Sequence, residues 1–182
     1  MKFSFSKVQI RIFIIFFVCI FSQVSSAQSL RPQSISVRAG VPVNDNDTGF
    51  RQYEMFADFS LTKITASQNG LRFGMRLDVV TSLLEQSDKW AFLLSVGPSF
   101  VLSNAGSRLA LKFGSSPTFL SNARFPHKNL GGHFHFISHI GVSLRLTSNM
   151  AVVYRIQHLS NASTVQPNPG LNLHMFGIGV EF

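Results

Sequence analysis

The chain has 182 residues, a formal net charge of +8 and one cysteine, Cys19. A single cysteine excludes an internal disulfide and a metal site built from several thiolates. The basic residues are spread singly along the sequence and form no arm or basic helix, which argues against a nucleic-acid partner, and the length predicts one domain.

Residues 1–27 have the three parts of a secretory signal peptide. Basic residues come first, the apolar run IFIIFFVCIF follows, and the small residues Ser25 and Ala27 indicate a cleavage site before Gln28. The apolar run is about half as long as the roughly 20 residues that a helix needs to cross a bilayer. We therefore predict a signal peptide over residues 1–27 and one mature domain over residues 28–182, which has no thiol.

The mature sequence alternates between extended runs and turn signals. The turns VNDNDTG, SQNG, SNAGS, TSN and QPNPG recur along it, and no segment keeps a helical period. This spacing predicts an all-β chain. The eight predicted strands lie near residues 34–42, 51–65, 70–84, 89–103, 107–120, 131–147, 150–160 and 172–182. An even number of strands is typical of a closed antiparallel barrel.

Within the predicted strands one face is apolar and the other carries charges of both signs. In the third strand Leu71 and Phe73 share one face, while Arg72, Arg76 and Asp78 share the other. An eight-stranded barrel has an interior just wide enough for side chains to fill. We therefore expect the charges to pair inside a filled lumen and the apolar face to meet lipid, with a soluble barrel or sandwich as the alternative.

The end of the chain favours the membrane. Phe176, Ile178, Val180 and Phe182 form an alternating apolar series that closes on an aromatic carboxyl terminus. This series resembles the assembly signal of bacterial outer-membrane barrels. The predicted fold class is thus an eight-stranded antiparallel transmembrane β-barrel with a side-chain-filled lumen, located in the bacterial outer membrane.

Topology predicts where the polar residues of the last two strands point. A signal peptide and an even-stranded barrel place both termini in the periplasm, so the seventh strand rises to the cell surface. Arg155 and Gln157 suit the polar lumen, which turns His158 and Ser160 towards lipid. Counting back from the carboxyl terminus places Asn172 on the same side of the adjacent strand. These residues are either a polar rim or a site in which His158 is the general base for a Ser160 nucleophile.

The segments HLSNAS and QPNPG resemble the active-site region of the outer-membrane lipid A 3-O-deacylases, in which a His-x-Ser-Asn pattern precedes an Asn-bearing turn and the last strand. The resemblance is strongest over residues 150–182. The matching positions are His158, Ser160, Asn161, Asn168, Pro169 and Gly170.

The resemblance implies a serine esterase that hydrolyses the ester-linked acyl chain at the 3 position of lipid A, the outer-leaflet anchor of lipopolysaccharide. It implies acyl transfer to Ser160 with His158 as base, and no metal or organic cofactor. Donors from Asn161, Asn168 or the turn at Gly170 would stabilise the oxyanion or position the substrate. The alternative is that Asn161 ends the strand and Asn168 only shapes the turn.

One position departs from the family pattern. The family has a glutamate at the start of the last strand, where this chain has Asn172. An amide can accept the hydrogen bond of the imidazole but cannot balance an imidazolium charge. Glu181 cannot replace the carboxylate, because it is predicted on the opposite face at the periplasmic end. A barrel of the same fold without catalysis, in a structural or surface-interaction role, is therefore the second hypothesis, and a homodimer is compatible with either.

Three further histidines, His133, His135 and His139, are predicted on the lumen face of the sixth strand. Their His-x-His spacing can hold zinc, but a hydrogen-bonded lumen lining is the favoured interpretation. Arg124 and Lys128 lie in the preceding surface loop, where we expect solvated charge rather than contacts with lipid A phosphates.

Overall fold

The structure is a computed structural model that describes residues 30–62, 65–66, 70–106 and 108–182. The predicted signal peptide lies outside the described residues. Within them the regular secondary structure consists of β-strands, apart from a one-turn 3-10 helix at Asp45–Asp47. None of the described residues forms a helix long and apolar enough to cross a membrane.

The strands agree closely with the alternation of the sequence. In chain order they are β1 Pro32–Pro42, β2 Phe50–Ser60, β3 Thr65–Ala66, β4 Leu71–Gln86, β5 Lys89–Asn104, β6 Leu109–Leu120, β7 Phe134–Arg145, β8 Met150–Ser160 and β9 Leu171–Glu181. Strands adjacent in the barrel pair antiparallel, β1 pairs with β9, and β2 pairs with β4, so β1, β2 and β4 to β9 close a barrel of eight strands. The predicted fold class is confirmed.

The second strand ends earlier than predicted. It was expected to run over residues 51–65, but pairing stops at Ser60, where the Leu61 and Thr62 N–H groups both turn to the Met75 carbonyl. The chain rejoins the sheet as the two-residue strand β3, which pairs with β4. Two donors that share one carbonyl break the ladder, and the sequence pattern carries no signal for this.

The faces of the barrel follow the predicted alternation. In β8 the side chains of Arg155, Gln157 and Leu159 are buried in the lumen, whereas Ile156 and His158 are exposed on the outer wall. The outer wall is otherwise mainly apolar, as expected for a surface in contact with lipid.

Apolar side chains fill one end of the lumen. We call it the upper end; it carries the connections of residues 43–49, 87–88, 121–133 and 161–170. The apolar cluster comprises Phe50, Leu84, Ala91, Leu93, Leu120, Ala123, Phe125, Leu130, Ile137, Leu159, Leu171, Leu173 and Met175. Sequence reasoning expected a polar lumen and missed this cluster, which supports the loops and the ends of β8 and β9 from beneath.

Charged side chains pair in the middle of the lumen, as predicted. Glu54 contacts both Arg38 and Arg155 at 2.6 Å. Asp58 pairs with Lys112 at 2.7 Å and with Arg76 at 3.0 Å. Below this network lies a cavity of about 510 Å³ that is lined by residues of the lower turns and by several arginines.

One of the three lumen histidines was placed wrongly. His135 is fully buried, and the His139 ring lies 3.7 Å from the Asp78 carboxylate, so both line the lumen. His133 instead precedes β7, is exposed, and stacks on the outward ring of Phe119 with centroids 6.2 Å apart. Regular strand geometry begins only at Phe134, so the parity count does not extend to His133. No group of three or more metal-ligating side chains occurs in the described part of the chain.

Candidate active site

The predicted catalytic residues lie together at the upper end of the outer wall. Ser160 is the last residue of β8, and His158 lies two residues before it. Asn172 is the second residue of β9. Asn172 is the direct cross-strand partner of His158. The neighbouring residues Gln157 and Leu159 are buried, so His158, Ser160 and Asn172 all point away from the lumen.

A hydrogen bond joins His158 to Asn172. The Nδ1 atom of His158 lies 2.8 Å from the Oδ1 atom of Asn172. An amide oxygen can only accept, so Nδ1 carries the proton and donates it. The Nε2 atom of the neutral ring is then left with a lone pair, which is the protonation state that a general base requires.

Ser160 lies two residues beyond His158 on the same face and is half-exposed. Its cross-strand partner on β7 is Phe136. Within the described residues, its hydroxyl makes no hydrogen bond, to His158 or to any other group. The structure therefore brings the two residues onto one surface without joining them, and the hydroxyl is open to an incoming group.

Gly170 is placed against the imidazole ring. Its φ angle of +67° is in the left-handed region, and a Cβ atom built on it would lie 2.7 Å from Cε1 of His158. Because a glycine has no Cβ atom, the ring can rest directly on the backbone at this position. A side chain at position 170 would therefore displace the imidazole of His158.

Asn161 and Asn168 hold the connection between β8 and β9 together. The buried Nδ2 group of Asn161 faces four carbonyl oxygens, those of Leu130, Gly131, Val165 and Pro167, at 2.8 to 3.3 Å. Asn168 accepts the backbone N–H of Asn161 at 3.0 Å, and its own Nδ2 donates to Ser163 Oγ at 3.3 Å. The side-chain N–H groups of Asn161 are therefore bonded to loop carbonyls. Asn168 keeps one side-chain N–H without a partner among the described residues.

The backbone of Asn172 is held by the loop between β1 and β2. The N–H of Val43 donates to the Asn172 carbonyl at 3.0 Å, and the N–H of Asn172 makes a long 3.5 Å bond to Oδ2 of Asp47. Asp47 is buried and pairs with Lys128 of the loop between β6 and β7. Lys128 is therefore not the solvated charge that was expected, whereas Arg124 is exposed.

Sequence reasoning missed Asp47 and the ion pair that it forms with Lys128. Asp47 belongs to the segment VNDNDTG, and an aspartate is an ordinary residue in such a turn. Only the closure of the barrel, which brings β1 beside β9, gives this carboxylate a partner at the start of the last strand.

Aromatic side chains cover the wall beneath Asn172. The Tyr154 hydroxyl hydrogen-bonds Nδ1 of His174 at 2.9 Å, and the two rings stack with centroids 6.0 Å apart. Phe176 packs against Tyr154 at 5.0 Å. His174 is thereby engaged with Tyr154 and does not contact His158.

Comparison with known proteins identifies similar sequences. Residues 51–181 match the family model of Lipid A 3-O-deacylase (PagL). The protein named Lipid A deacylase PagL from Bordetella bronchiseptica is 37% identical over 68 residues, which are 37% of this chain and 38% of that protein. Its namesake from Pseudomonas aeruginosa is 34% identical over 80 residues, 43% of this chain and 46% of that protein. The chain thus matches less than half the length of either curated relative.

Solved structures share the fold. The crystal structure of the outer membrane enzyme PagL has a TM-score of 0.71 at 22% identity, and the match covers 82% of this chain and 99% of that chain. A structure from the de novo design of transmembrane β-barrels and the N-terminal β-barrel domain of Pseudomonas aeruginosa OprF each have a TM-score of 0.56 at 12% identity over 85% of this chain. These likenesses confirm the eight-stranded barrel, and they give no support to the homodimer that the sequence allows.

Proposed function

Because this outer-membrane β-barrel belongs to the lipid A 3-O-deacylase family, we propose that it is a serine esterase that hydrolyses the 3-O-linked acyl chain of lipid A. The substrate would be lipopolysaccharide in the outer leaflet, at the upper end of the barrel. A signal peptide and periplasmic termini would orient that end towards the cell surface.

The observation that carries this proposal is the hydrogen bond from His158 Nδ1 to Asn172 Oδ1 beside an outward-facing Ser160. A serine hydroxyl is a weak nucleophile until a base accepts its proton. The bond to Asn172 holds the ring in the tautomer whose Nε2 atom is free to do so. An active site on the lipid-facing wall suits a substrate that stays in the membrane.

The reaction would proceed in two acyl-transfer steps. Nε2 of His158 takes the proton of Ser160 as Oγ attacks the ester carbonyl, and the imidazolium then returns that proton to the departing sugar 3-oxygen. A water molecule gives its proton to Nε2, attacks the acyl-serine, and releases the fatty acid while Ser160 regains its hydrogen. No metal or organic cofactor takes part in this scheme.

The oxyanion needs hydrogen-bond donors that are not already bonded to groups of the loop. Asn168 fits this role, since one N–H of its side chain is unpaired among the described residues. Asn161 would act indirectly, because its amide group is bonded to loop carbonyls and its backbone N–H binds Asn168. Gly170 would position the imidazole. Removal of one oxyanion donor typically costs about 100-fold to 1000-fold in kcat.

A second candidate function follows from Asn172 itself. The amide orients the imidazole but leaves its positive charge unbalanced when the ring accepts a proton. A barrel with weakened or lost catalysis, serving a structural or surface-interaction role, is consistent with that substitution.

Lipid A mass spectrometry separates the two candidates. We expect cells that express the wild-type protein to lose one 3-O-linked hydroxyacyl mass from lipid A, and cells that express Ser160→Ala to retain it, because alanine has no nucleophile. Equal amounts of folded barrel in the outer membrane are the control. Identical lipid A from both strains would favour the non-catalytic barrel.

A further inference from the structure

The cavity in the lower half of the lumen has no part in the proposed reaction. We call it the lower cavity; its volume is about 510 Å³, within the range of roughly 300–1000 Å³ that is typical of small-molecule sites. Its lining includes Gln33 of β1 and Glu181 of β9, near the two ends of the barrel chain. In an outer-membrane barrel with periplasmic termini, the lower cavity therefore opens towards the periplasm.

The lower cavity is lined by more cations than carboxylates. Six basic side chains line it against two acidic ones; the basic residues are Arg38, Arg72, Arg76, Arg108, Lys112 and Arg145, and the acidic residues are Asp58 and Glu181. A cleft in which charge of one sign prevails, enclosed by walls of low dielectric constant, concentrates the electric field and attracts ions of the opposite sign. The lower cavity therefore favours an anionic ligand.

The charged network above the cavity does not supply the missing negative charge. Its four cations, Arg38, Arg76, Lys112 and Arg155, are paired with three carboxylates, those of Glu54, Asp58 and Asp78. The Nη2 atom of Arg38 is buried and has no hydrogen-bond partner among the described residues. Positive charge is thus in excess at the top of the cavity as well as along its walls.

Two of the six cations are free to bind a ligand. Arg72 and Arg108 are exposed, and neither side chain forms an ion pair or a hydrogen bond with a described residue. Arg72 lies across from Ser103, and Ser103 lies across from Ala110, two residues beyond Arg108. The two arginine backbones are therefore separated by about two strand spacings, roughly 10 Å. Two guanidinium groups directed into the cavity from these positions can bind one phosphate group, whose oxygens accept their N–H groups in pairs.

The wall above these arginines carries hydroxyl groups without partners. Ser34 and Ser36 line the cavity, and their hydroxyls form no hydrogen bond with a described residue. Ser36 lies across from Phe56, whose ring contacts the Arg38 guanidinium at 4.0 Å, so this serine is next to the charged network. A hydroxyl can donate one hydrogen bond and accept two. The cavity thus combines free cations near its mouth with free hydroxyls deeper inside.

We propose that the lower cavity is a binding site for a small phosphorylated polyol of the sugar monophosphate class. The phosphate would lie between Arg72 and Arg108, and hydroxyl groups of the ligand would bond to Ser34 and Ser36. A phosphate monoester carries about 1.5 to 2 negative charges at pH 7, which matches the two unpaired cations. The site lies at the opposite end of the lumen from Ser160, so the inference does not depend on the proposed esterase.

Isothermal titration calorimetry of the purified full-length barrel in a non-ionic detergent tests the site. We expect glucose-6-phosphate to bind with a Kd below about 1 mM, inorganic phosphate to bind about tenfold more weakly, and glucose to give no binding in the same range. Equal affinity for glucose-6-phosphate and inorganic phosphate would overturn the assignment of a polyol. A Kd for glucose-6-phosphate far above about 1 mM would overturn the site itself.

Variants of the lining residues locate the ligand within the cavity. Arg72→Met and Arg108→Met should each weaken the binding of both phosphate and glucose-6-phosphate by about tenfold. Neither arginine has a side-chain partner among the described residues, so both variants are expected to fold. Ser36→Ala should weaken the binding of glucose-6-phosphate alone, because inorganic phosphate has no polyol to bond there.

Arg51→Met is the matched control. It removes the same charge from an exposed residue of β2 whose neighbour Gln52 is buried in the lumen, so Arg51 lies on the outer wall. This variant should bind both ligands as the wild type does. Equal losses in Arg51→Met and Arg72→Met would mean that the net charge of the barrel attracts the anion, and unchanged binding in both Arg72→Met and Arg108→Met would remove the phosphate from the cavity; either result overturns the inference. The titration needs no hydrolysis of lipid A, so a failure of the proposed function would leave it unaffected.

Discussion

In the family pattern one carboxylate has two tasks, to orient the imidazole and to balance its positive charge. Asn172 can perform only the first. Its Oδ1 atom accepts the His158 Nδ1–H at 2.8 Å and so fixes the ring and its tautomer. It brings no negative charge, so the proposed imidazolium is stabilised only by a dipole. The chemistry of this site is therefore expected to be limited by charge rather than by geometry.

Asn172→Glu should accordingly raise turnover. A carboxylate at this position would keep the hydrogen bond to Nδ1 and add an ion pair when the ring takes up a proton. We expect kcat to increase by about tenfold, which corresponds to about 1.4 kcal/mol of transition-state stabilisation. Steady-state hydrolysis of a defined lipid A substrate by the purified variant measures this change.

Asn172→Gln is the control for the longer side chain. It has the reach of glutamate without the charge, so we expect it to leave kcat at or below the wild-type value. A gain in Asn172→Gln as large as in Asn172→Glu would show that reach rather than charge is limiting. No gain in either variant would mean that another group already balances the imidazolium.

At the residue scale the sequence predicts which way the side chains of a strand point. It does not predict which loop groups they contact. Alternation along β8 and β9 predicts that His158, Ser160 and Asn172 share the outer wall, because a strand repeats every two residues. The carbonyls around the Asn161 amide come from two different loops, and the ring seated on Gly170 comes from another strand. Those contacts depend on tertiary structure that no local pattern encodes.

At the scale of elements, strands were predictable where pairing is regular. The seventh predicted strand, residues 150–160, coincides with β8. The predictions were wrong where pairing stops for reasons outside the strand, as at Ser60 and at His133. In both places the predicted strand extended past the end of the regular ladder, after Ser60 in β2 and before Phe134 in β7.

Two loops meet at an ion pair that bears on the candidate site. Asp47 of the loop between β1 and β2 contacts Lys128 of the loop between β6 and β7, and Asp47 also accepts the backbone N–H of Asn172. We expect Asp47→Asn to leave Lys128 without its counterion and to loosen the start of β9. The expected result is a several-fold fall in kcat and a loss of about 1–3 kcal/mol in the free energy of unfolding. Kinetic assays and urea unfolding of the folded barrel measure the two effects.

A charge swap distinguishes the loop contact from the contact with Asn172. The double variant Asp47→Lys with Lys128→Asp restores an ion pair but places a donor, not an acceptor, beside the Asn172 N–H. We expect it to recover stability without recovering kcat. Arg124→Met, at an exposed residue of the same loop, should change neither quantity. Full recovery of kcat by the swap would show that the loops need only to be held together.

At the scale of the whole molecule, the lumen is layered. An apolar cluster lies beneath the upper loops, a charged network occupies the middle, and a polar cavity opens towards the lower turns. The sequence predicted that charges of both signs would face inward, but not which of them would pair. Glu54 and Arg155 are 101 residues apart in the chain, and only closure of the barrel brings them together.

Glu54 is the centre of this network and the residue on which its stability most depends. Its side chain is fully buried and contacts both Arg38 and Arg155 at 2.6 Å. Glu54→Gln keeps the volume but leaves two buried guanidinium groups with a neutral partner. Removal of one partner from a buried ion pair typically costs about 3–5 kcal/mol, and we expect a loss of this size in urea unfolding from lipid vesicles.

Glu181→Gln is the matched control, because Glu181 pairs with Arg145 at the same 2.6 Å but in a more exposed place, where the arginine side chain is 49% accessible. An exposed pair contributes about 0–1 kcal/mol, so this variant should unfold close to the wild type. Equal losses in the two variants would mean that the lumen around Glu54 is wet enough to screen its charges. A large loss confined to Glu54→Gln would identify the buried network as the structural centre that holds β1, β2 and β8 together beneath the candidate site.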